Sequence, residues 1–565
     1  MLNYQRSDRI FRMNLNNVDI VYVTFNSVGW IDACFGSYAK SLFPCEKINI
    51  TVVDNGSADS TLEKLETVKN SYGFSSFNII KMRKNRGFGS ACNAGFRKGS
   101  ADIVCFFNID TEIYPDTLTK IIEEIGGTED AKTVLWELMQ YPYEHPKTYD
   151  ILTGETDWGS GACFAIRRDA FEKAGGFDEG MFMYAEDVDL SFRLRSMGYR
   201  IKYSPAAGII HYAYSEEYQL KPLQYTNSII NNLLLRWRFG DRNDIKKGYE
   251  IYKIIQNQEE EAFTGAKKAL RKAYRKHFAK IPHFAKWRLR KDVSTAGFNF
   301  YDLDYARHRE GAFCYLKRPG SNPLVSVIVR TCGRPEVLRE TLISLRRQIY
   351  KNIEIIVVED GDPVSQKMIE NEFPDDRVIY SATNEKVGRS RAGNIAMEKA
   401  TGKYLNILDD DDLFYADHIE TLVAALEGGG YRAAYAVGEE SRIVVNSTEP
   451  YIYDIVNTDV VYARDFDREA LFDRNYIPIQ TIMFERGLFE EYGGFDLTLD
   501  QLEDWDLWVR YAVKNDFLFV EKSTSIYRVP YEKKLFDERY KQNESAYERC
   551  VQGFKKYGLD AGASR

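Results

Sequence analysis

The chain has 565 residues, 44% of them hydrophobic and 28% charged, with a formal net charge of -8. That composition belongs to a soluble globular protein long enough for at least two cores, and the acidic balance excludes nucleic acid as the main partner, because phosphate binding needs a basic surface. The eight cysteines are scattered, with no C-x-x-C pair and no histidines at zinc spacing, which excludes a disulfide framework or structural zinc and points to a reducing cytoplasm.

The opening "MLNYQRSDRIFRMNLNN" lacks an apolar stretch of signal-peptide length, and no uninterrupted apolar run of about 18 residues occurs, so neither a membrane span nor secretion is expected. From Val18, "VDIVYVTFN" reads as a parallel strand buried on both faces, followed by a helix-length segment. "INITVVDNGS" is a second strand stopping at Asp54, a helical stretch starts near Ala58, "FNIIKM" is a third strand, a helix starts near Phe88, and "IVCFFNID" is a fourth strand. This βαβαβ alternation predicts an α/β doubly wound sheet. Polar residues fall where its strands end, at Thr24, Asp54, Asn85 and Asp110, which is where open α/β sheets hold ligands.

The grammar restarts at Pro323. "PLVSVIVRTCGRP" matches the first strand, "IEIIVVEDGD" the second, and "NEKVGRSRAGNIAMEKATGKYLNILDDDD" matches "NRGFGSACNAGFRKGSADIVCFFNIDTE". "EYGGFDLTLDQLEDWDLW" likewise matches "KAGGFDEGMFMYAEDVDLSF". Asn85 aligns with Asn384, Asn93 with Asn394, Asp110 with Asp411 and Asp187 with Asp504. A repeat this long is a duplicated domain, not a solenoid unit. The expected organisation is an N-terminal tail (1–16), a first domain (17–240), a helical basic connector (241–317), a second domain (318–530) and a C-terminal helical segment (531–565). In the connector, "AKKALRKAYRKHFAKIPHFAKWRLRK" sets Leu270, Tyr274 and Phe278 at helical spacing among lysines and arginines. It reads as a solvated helix packed on one domain, or as a basic amphipathic surface for peripheral contact with anionic lipid.

Both halves resemble family 2 glycosyltransferases of the GT-A fold. In the first, "VVDNGS", "NRGFGSACNAG", "FFNIDT", "GSGACFAIRRDAF", "GGFDE", "YAEDVDL" and "HY" at His211 follow the order of the rhamnosyltransferase-like branch. In the second, "VEDGD", "NEKVGRSRAGN", "LDDDD", "GGFD" and "EDWDLW" resemble the branch that uses UDP-hexoses. "LLLRW", ending at Trp237, is similar to the Q-x-x-R-W of processive synthases but lacks the glutamine.

The resemblance implies a nucleotide-sugar donor whose diphosphate is neutralised by Mn²⁺ or Mg²⁺, for which carboxylates are apt ligands. The expected ligands are Asp409 and Asp411 in the second half, whose four consecutive aspartates would repel one another without a cation. In the first half they are Asp110, His211 and the weaker Asn108, with reduced metal affinity. Each Glu-Asp-x-Asp-Leu is expected to open a helix, whose N-terminus would favour the charged carboxylate. Asp187 and Asp504 are the expected general bases, with Glu186 and Glu503 contacting acceptor hydroxyls or the helix start. Thr24, Asp54, Asn55, Thr331, Glu359 and Asp360 are expected at the nucleotide, with Asn85, Asn384 and Arg391 at its ribose or phosphates.

The sequence thus reads as a cytoplasmic, bifunctional, inverting enzyme with two tandem GT-A domains that extends a bacterial surface glycan such as O-antigen or capsule. Its donors would be dTDP- or UDP-linked and its acceptor a glycan, free or lipid-linked. The alternative is one catalytic domain beside a carbohydrate-binding or scaffolding module. A nucleotidyltransferase is disfavoured, since its Gly-rich first loop is missing from "VTFNSVGW" and "VRTCGRPE".

Overall fold

The computed structural model describes residues 13–145, 147–213, 219–295, 297–311, 315, 318–499, 501–532 and 546–554. Most of the tail expected over 1–16 and of the segment expected over 531–565 lies outside the described residues. The chain forms two compact units, one running to His308, the other taking Arg309–Gly311 and the chain from residue 316.

The strands of the first unit are β1 (Val18–Thr24), β2 (Ile48–Asp54), β3 (Ser76–Lys81), β4 (Ile103–Asn108), β5 (Thr111–Ile113), β6 (Thr133–Tyr141), β7 (Cys163–Arg167) and β8 (Arg200–His211). They form one sheet in the order β3-β2-β1-β4-β7-β6-β8-β5. The first four are parallel, and β7 runs antiparallel to β4 and β6. Ile20 and Tyr22 of β1 join one core cluster and Val21 the other, which is why that strand is apolar without alternation. Strand order reverses beside β1, and the crevice at the carboxyl ends of β1 and β4 follows from that reversal.

The second unit has β9 (Val325–Thr331), β10 (Ile353–Glu359), β11 (Val378–Ala382), β12 (Tyr404–Asp409), β13 (Leu413–Phe414), β14 (Ala433–Thr448), β15 (Tyr451–Tyr462), β16 (Ile482–Glu485) and β17 (Leu518–Pro530). Its order, β11-β10-β9-β12-β16-β14-β17-β13, repeats the first sheet strand for strand. Among the described strands, β15, paired with β14, has no counterpart in the first sheet.

Much of the stretch expected as a connector packs within the first unit. The Ala266–His277 helix seats Leu270 against Ile229, Ile230 and Leu233 of the Pro222–Phe239 helix. Phe284, Phe300 and Tyr305 pack with Trp158, Val188 and Phe192. Arg236, next to Trp237, is fully buried and bonds Asn232 and backbone carbonyls, so "LLLRW" serves packing.

Candidate active sites

Each Glu-Asp-x-Asp-Leu opens a helix, Glu186–Ser196 in the first unit and Glu503–Ala512 in the second. The residue before each is a non-glycine in the left-handed region, Ala185 at φ 65° and Leu502 at φ 59°, a conformation that costs on the order of 1 kcal/mol and recurs in both copies. The Val188 N–H donates to Asp187 Oδ1 and the Trp505 N–H to Asp504 Oδ1, both at 2.8 Å. The second oxygen of Asp187 accepts from the Gly161 N–H (2.7 Å), and that of Asp504 from Asn475 Nδ2 (2.9 Å).

The other acid of the motif is structural. Asp189 pairs with Arg193 and Asp506 with Arg510, each at 2.8 Å and buried. Those arginines donate onward to carbonyls of the Gly-Gly-Phe-Asp turn, Arg193 to Gly176 (2.7 Å) and Arg510 to Gly494 (2.6 Å). The same turn is clamped by asparagine: Asn93 exchanges two hydrogen bonds with the Phe177 backbone, and Asn394 two with Phe495. A Cβ would stand 2.6 Å from Asn93 Oδ1 on Gly176 and 2.2 Å from Asn394 Oδ1 on Gly494. The spacing between turn and acidic pair is therefore fixed by this clamp, and the clamp aims Asp187 and Asp504.

Contrary to the expectation from the helix N-terminus, these carboxyls are not held more acidic than usual. Burial, then the charge of Glu503, pushes Asp504 up to about 7, against the opposing bonds from Trp505 and Asn475. Burial also raises Asp187, opposed by the Gly161 and Val188 N–H groups and the charge of Lys147. Glu186 is pushed up to about 8 by burial and by Asp187, and its Oε2 has no hydrogen-bond partner.

At the strand ends the two units differ by a matched pair. Arg330 on β9 stands in register with Asp409 on β12, and Val23 on β1 with Asn108 on β4. Arg330 forks onto both oxygens of Asp409 (2.7 and 2.8 Å) and reaches Glu503 at 2.9 Å. In the first unit charge is absent from both partners, so Glu186 has no cation where Glu503 has one. Arg334 pairs with Asp410 and lies 3.3 Å from Asp411. The repulsion among the four aspartates is thus answered by arginines, not by a metal alone. Burial raises Asp410 to about 6 despite Arg334, whereas Arg330 outweighs burial and holds Asp409 below the usual range.

Among the described residues no three His, Cys, Asp or Glu form a ready-made metal cage. The donor chemistry of the first unit nevertheless fits a divalent ion that also takes phosphate oxygens. His211 Nε2 lies 3.5 Å from both Asp110 Oδ1 and Asn108 Nδ2. His211 Nδ1 is 2.6 Å from Gln140 Oε1, which assigns its proton to that side and leaves Nε2 facing Asp110. Burial pushes Asp110 up, but a His211 protonated on both nitrogens, as it can be with no metal on Nε2, bonds and charges against the carboxyl and keeps it below the usual range. In the second unit both carboxylates of the D-x-D pair meet arginine, Asp409 gripped on both oxygens by Arg330 and Asp411 held more loosely by Arg334 at 3.3 Å, so Asp411 is the more open of the two to a metal.

The expected nucleotide residues divide. Asn55 and Asn85 line the first cavity, joined at 3.1 Å, and Asp360 lines the second. Thr331 also lines it, donating to Asp410 at 2.7 Å. Thr24, Asp54 and Glu359 are buried behind the surface: Thr24 bonds Asp54, Asp54 accepts from the Gly56 and Ser57 N–H groups, and Glu359 accepts from Gly333, Ser365 and Tyr380. These acids shape the loops rather than reach a ligand. Asn384 is exposed at a left-handed turn (φ 61°), and the exposed Arg391 is off the cavity, where Arg389 stands instead, 3.8 Å from Glu503.

The family model described as glycosyl transferase family 2 matches residues 19–184 and 326–490, together more than half of the chain. The chain belongs to glycosyltransferase family 2. An uncharacterized glycosyltransferase of Rickettsia conorii is 22% identical over 93% of this chain and 81% of its own length. The glycosyltransferase GlyA of Streptococcus pneumoniae is 33% identical over 27% of this chain and 21% of its own. Among solved structures, the mannosyltransferase PcManGT of Pyrobaculum calidifontis, in complex with GDP-Man and Mn²⁺, covers 51% of this chain and 85% of its own at 16% identity and TM-score 0.35. TarS 1–349 of S. aureus covers 46% and 72% at 18% identity and TM-score 0.29. This glycosyltransferase has two GT-A units in tandem, as its paired sheets display. No helix among its described residues is long and apolar enough to cross a membrane.

Sequence reasoning missed several residues of the glycosyltransferase sites. In the first unit a cavity of about 700 Å³ is lined by Asp110, Glu186, Asp187 and His211, but also by Lys147 and Tyr305. Lys147 is buried, ion-paired with Glu137 and 4.2 Å over the Trp158 ring. A lone lysine and a tyrosine more than a hundred residues beyond Asp187 carry no spacing that announces them. Arg330 could have been found: an arginine inside an otherwise apolar strand demands a buried partner.

Proposed function

We propose that both units are catalytic, each transferring a sugar with inversion from a nucleotide-sugar to a growing bacterial surface glycan. One observation carries the reading: each unit holds an aspartate, Asp187 or Asp504, with a raised pKa at a strained helix start, this strain is kept twice, and Asp187 lines the first cavity together with Asp110 and His211. A carboxylate that titrates nearer neutrality is a better general base than an ordinary one. Asp187 or Asp504 takes the proton of the acceptor hydroxyl, whose oxygen forms the new bond to the anomeric carbon. The bond to the nucleoside diphosphate breaks and the diphosphate leaves with the electron pair.

Asn108, Asp110 and His211 would hold a divalent metal in the first unit, and Asp411 in the second. A metal so bound supplies positive charge to the departing diphosphate. Arg330, Arg334 and Arg389 line the second cavity and add fixed positive charge there. The branch resemblance supports a dTDP-deoxyhexose or furanosyl donor for the first unit and a UDP-hexose for the second.

The test is a screen of nucleotide-sugars with Mn²⁺ or Mg²⁺, run on the full chain and on Asp187→Asn and Asp504→Asn. Each substitution is expected to reduce use of a different donor by about 10²–10⁴. If Asp187→Asn changes turnover of no donor, the first unit is a binding or scaffolding module and the two-enzyme reading fails.

A further inference from the structure

We propose that the outward face of the Ala266–His277 helix docks the protein on an anionic lipid bilayer. The helix buries a seam of Ala266, Leu270 and His277, with Leu270 against the Pro222–Phe239 helix. That seam accounts for its place in the fold. The opposite arc holds Lys268, Arg271, Lys272, Arg275 and Lys276, all exposed. Their spacing sets them along one stripe. None of the five pairs with a carboxylate among the described residues, and Arg271 alone has a polar partner, Gln256 at 3.0 Å.

Five adjacent cations repel one another, so the stripe costs stability unless an anionic partner covers it. It stands out in a chain of net charge -8, because no Asp or Glu occurs between Ala262 and Lys291. The nearest acids in sequence, Glu259–Glu261, sit before the helix, where Glu261 accepts from the Gly265 and Lys267 N–H groups. Phe278, at the helix end, is 50% exposed, and Leu289, between Arg288 and Arg290, is 81% exposed. Cations with exposed apolar side chains suit the headgroup boundary of a bilayer, which takes both. A nucleic-acid backbone has no use for the phenyl and isobutyl groups. The inference does not depend on which donors the two sites use.

The experiment is sedimentation of the full chain with vesicles of phosphatidylcholine alone or with about one third phosphatidylglycerol. Binding is expected only to the anionic vesicles and is lost at high salt. Replacing Lys268, Arg271, Lys272 and Arg275 together by glutamine should weaken partitioning several hundred-fold, at about 1 kcal/mol per basic residue. These side chains are exposed and repel one another, so the thermal midpoint should hold or rise; should that variant misfold, Phe278→Ser alone is expected to weaken binding several-fold. Equal binding to both vesicle types, full binding by the glutamine variant, or binding of duplex DNA in place of vesicles would overturn the proposal.

Discussion

Arg330→Val tests whether the matched strand-end pairs are energetic units. Arg330 is 6% exposed, Glu503 4% and Asp409 26%, so the substitution takes both hydrogen-bonded contacts from the partly solvated Asp409 and leaves the buried Glu503 with only Arg389, at 3.8 Å. Breaking a buried pair by removing one partner costs about 3–5 kcal/mol, and the exposure of Asp409 argues for the lower end. In the double variant Arg330→Val/Asp409→Asn the pairing becomes that of Val23 and Asn108, and of the two acids only Glu503 is left to feel the loss of Arg330. The double variant should therefore be more stable than the single by at least about 1 kcal/mol, a non-additivity typical of contacting residues. Calorimetry on the full chain reads this in the transition of the second unit, where about 2–4 °C corresponds to 1 kcal/mol. Arg330→Val is expected to lower that midpoint by about 6–12 °C, with part recovered in the double variant. A double variant that melts at or below the single, or a single that melts as the wild type, would refute the argument.

Four further outcomes are expected. Transfer by the second unit should lose rate as pH falls through about 7, where Asp504 takes its proton. Because this pKa is above its unfolded value, the native state binds more protons between about pH 4 and 7, and stability falls as pH rises through that window. Asp504→Asn should therefore be more stable than wild type at pH 8, by about 1–2 kcal/mol after discounting for the open cleft, and equal to it near pH 3 in urea melts. Lys147→Met removes a charge that lowers Asp187, so the acid limb of first-unit transfer should move to higher pH, and adding Glu137→Gln, whose charge acts on Asp187 in the opposite sense, should move it back. Gln140→Leu frees His211 Nδ1 and should weaken metal activation of the first unit about 10–100-fold, with no change in the second, by metal titration of each activity.

How much of this was legible beforehand depends on how local the cause was. The doubly wound sheets were readable because β1 and β9 are buried on both faces and must be apolar throughout. The acidic helix starts were readable because their motif recurs after Gly-Gly-Phe-Asp. Its internal division of labour was not: Asp187 and Asp189 are the same residue type two positions apart, and only the three-dimensional path to Arg193 and Gly176 separates the proposed base from the brace. Asp54 and Glu359 misled for the same reason, since a strand-end acid that accepts loop N–H groups looks in sequence like one awaiting a ligand.

The replacement of Asp409 by Asn108 is the sharpest case. Viewed alone, the asparagine looks like a degraded metal site and weakens the argument for catalysis in the first unit. Set beside its register partner it becomes half of a charge-neutral exchange, Arg with Asp for Val with Asn, which leaves each strand end internally balanced. A domain drifting away from function would lose one charge and keep the other buried and unpaired, at a cost of several kcal/mol. Loss of both together orphans no charge and keeps Asp110, His211 and Asp187 around the cavity, so the asparagine alone does not count against the proposal that the first unit is catalytic.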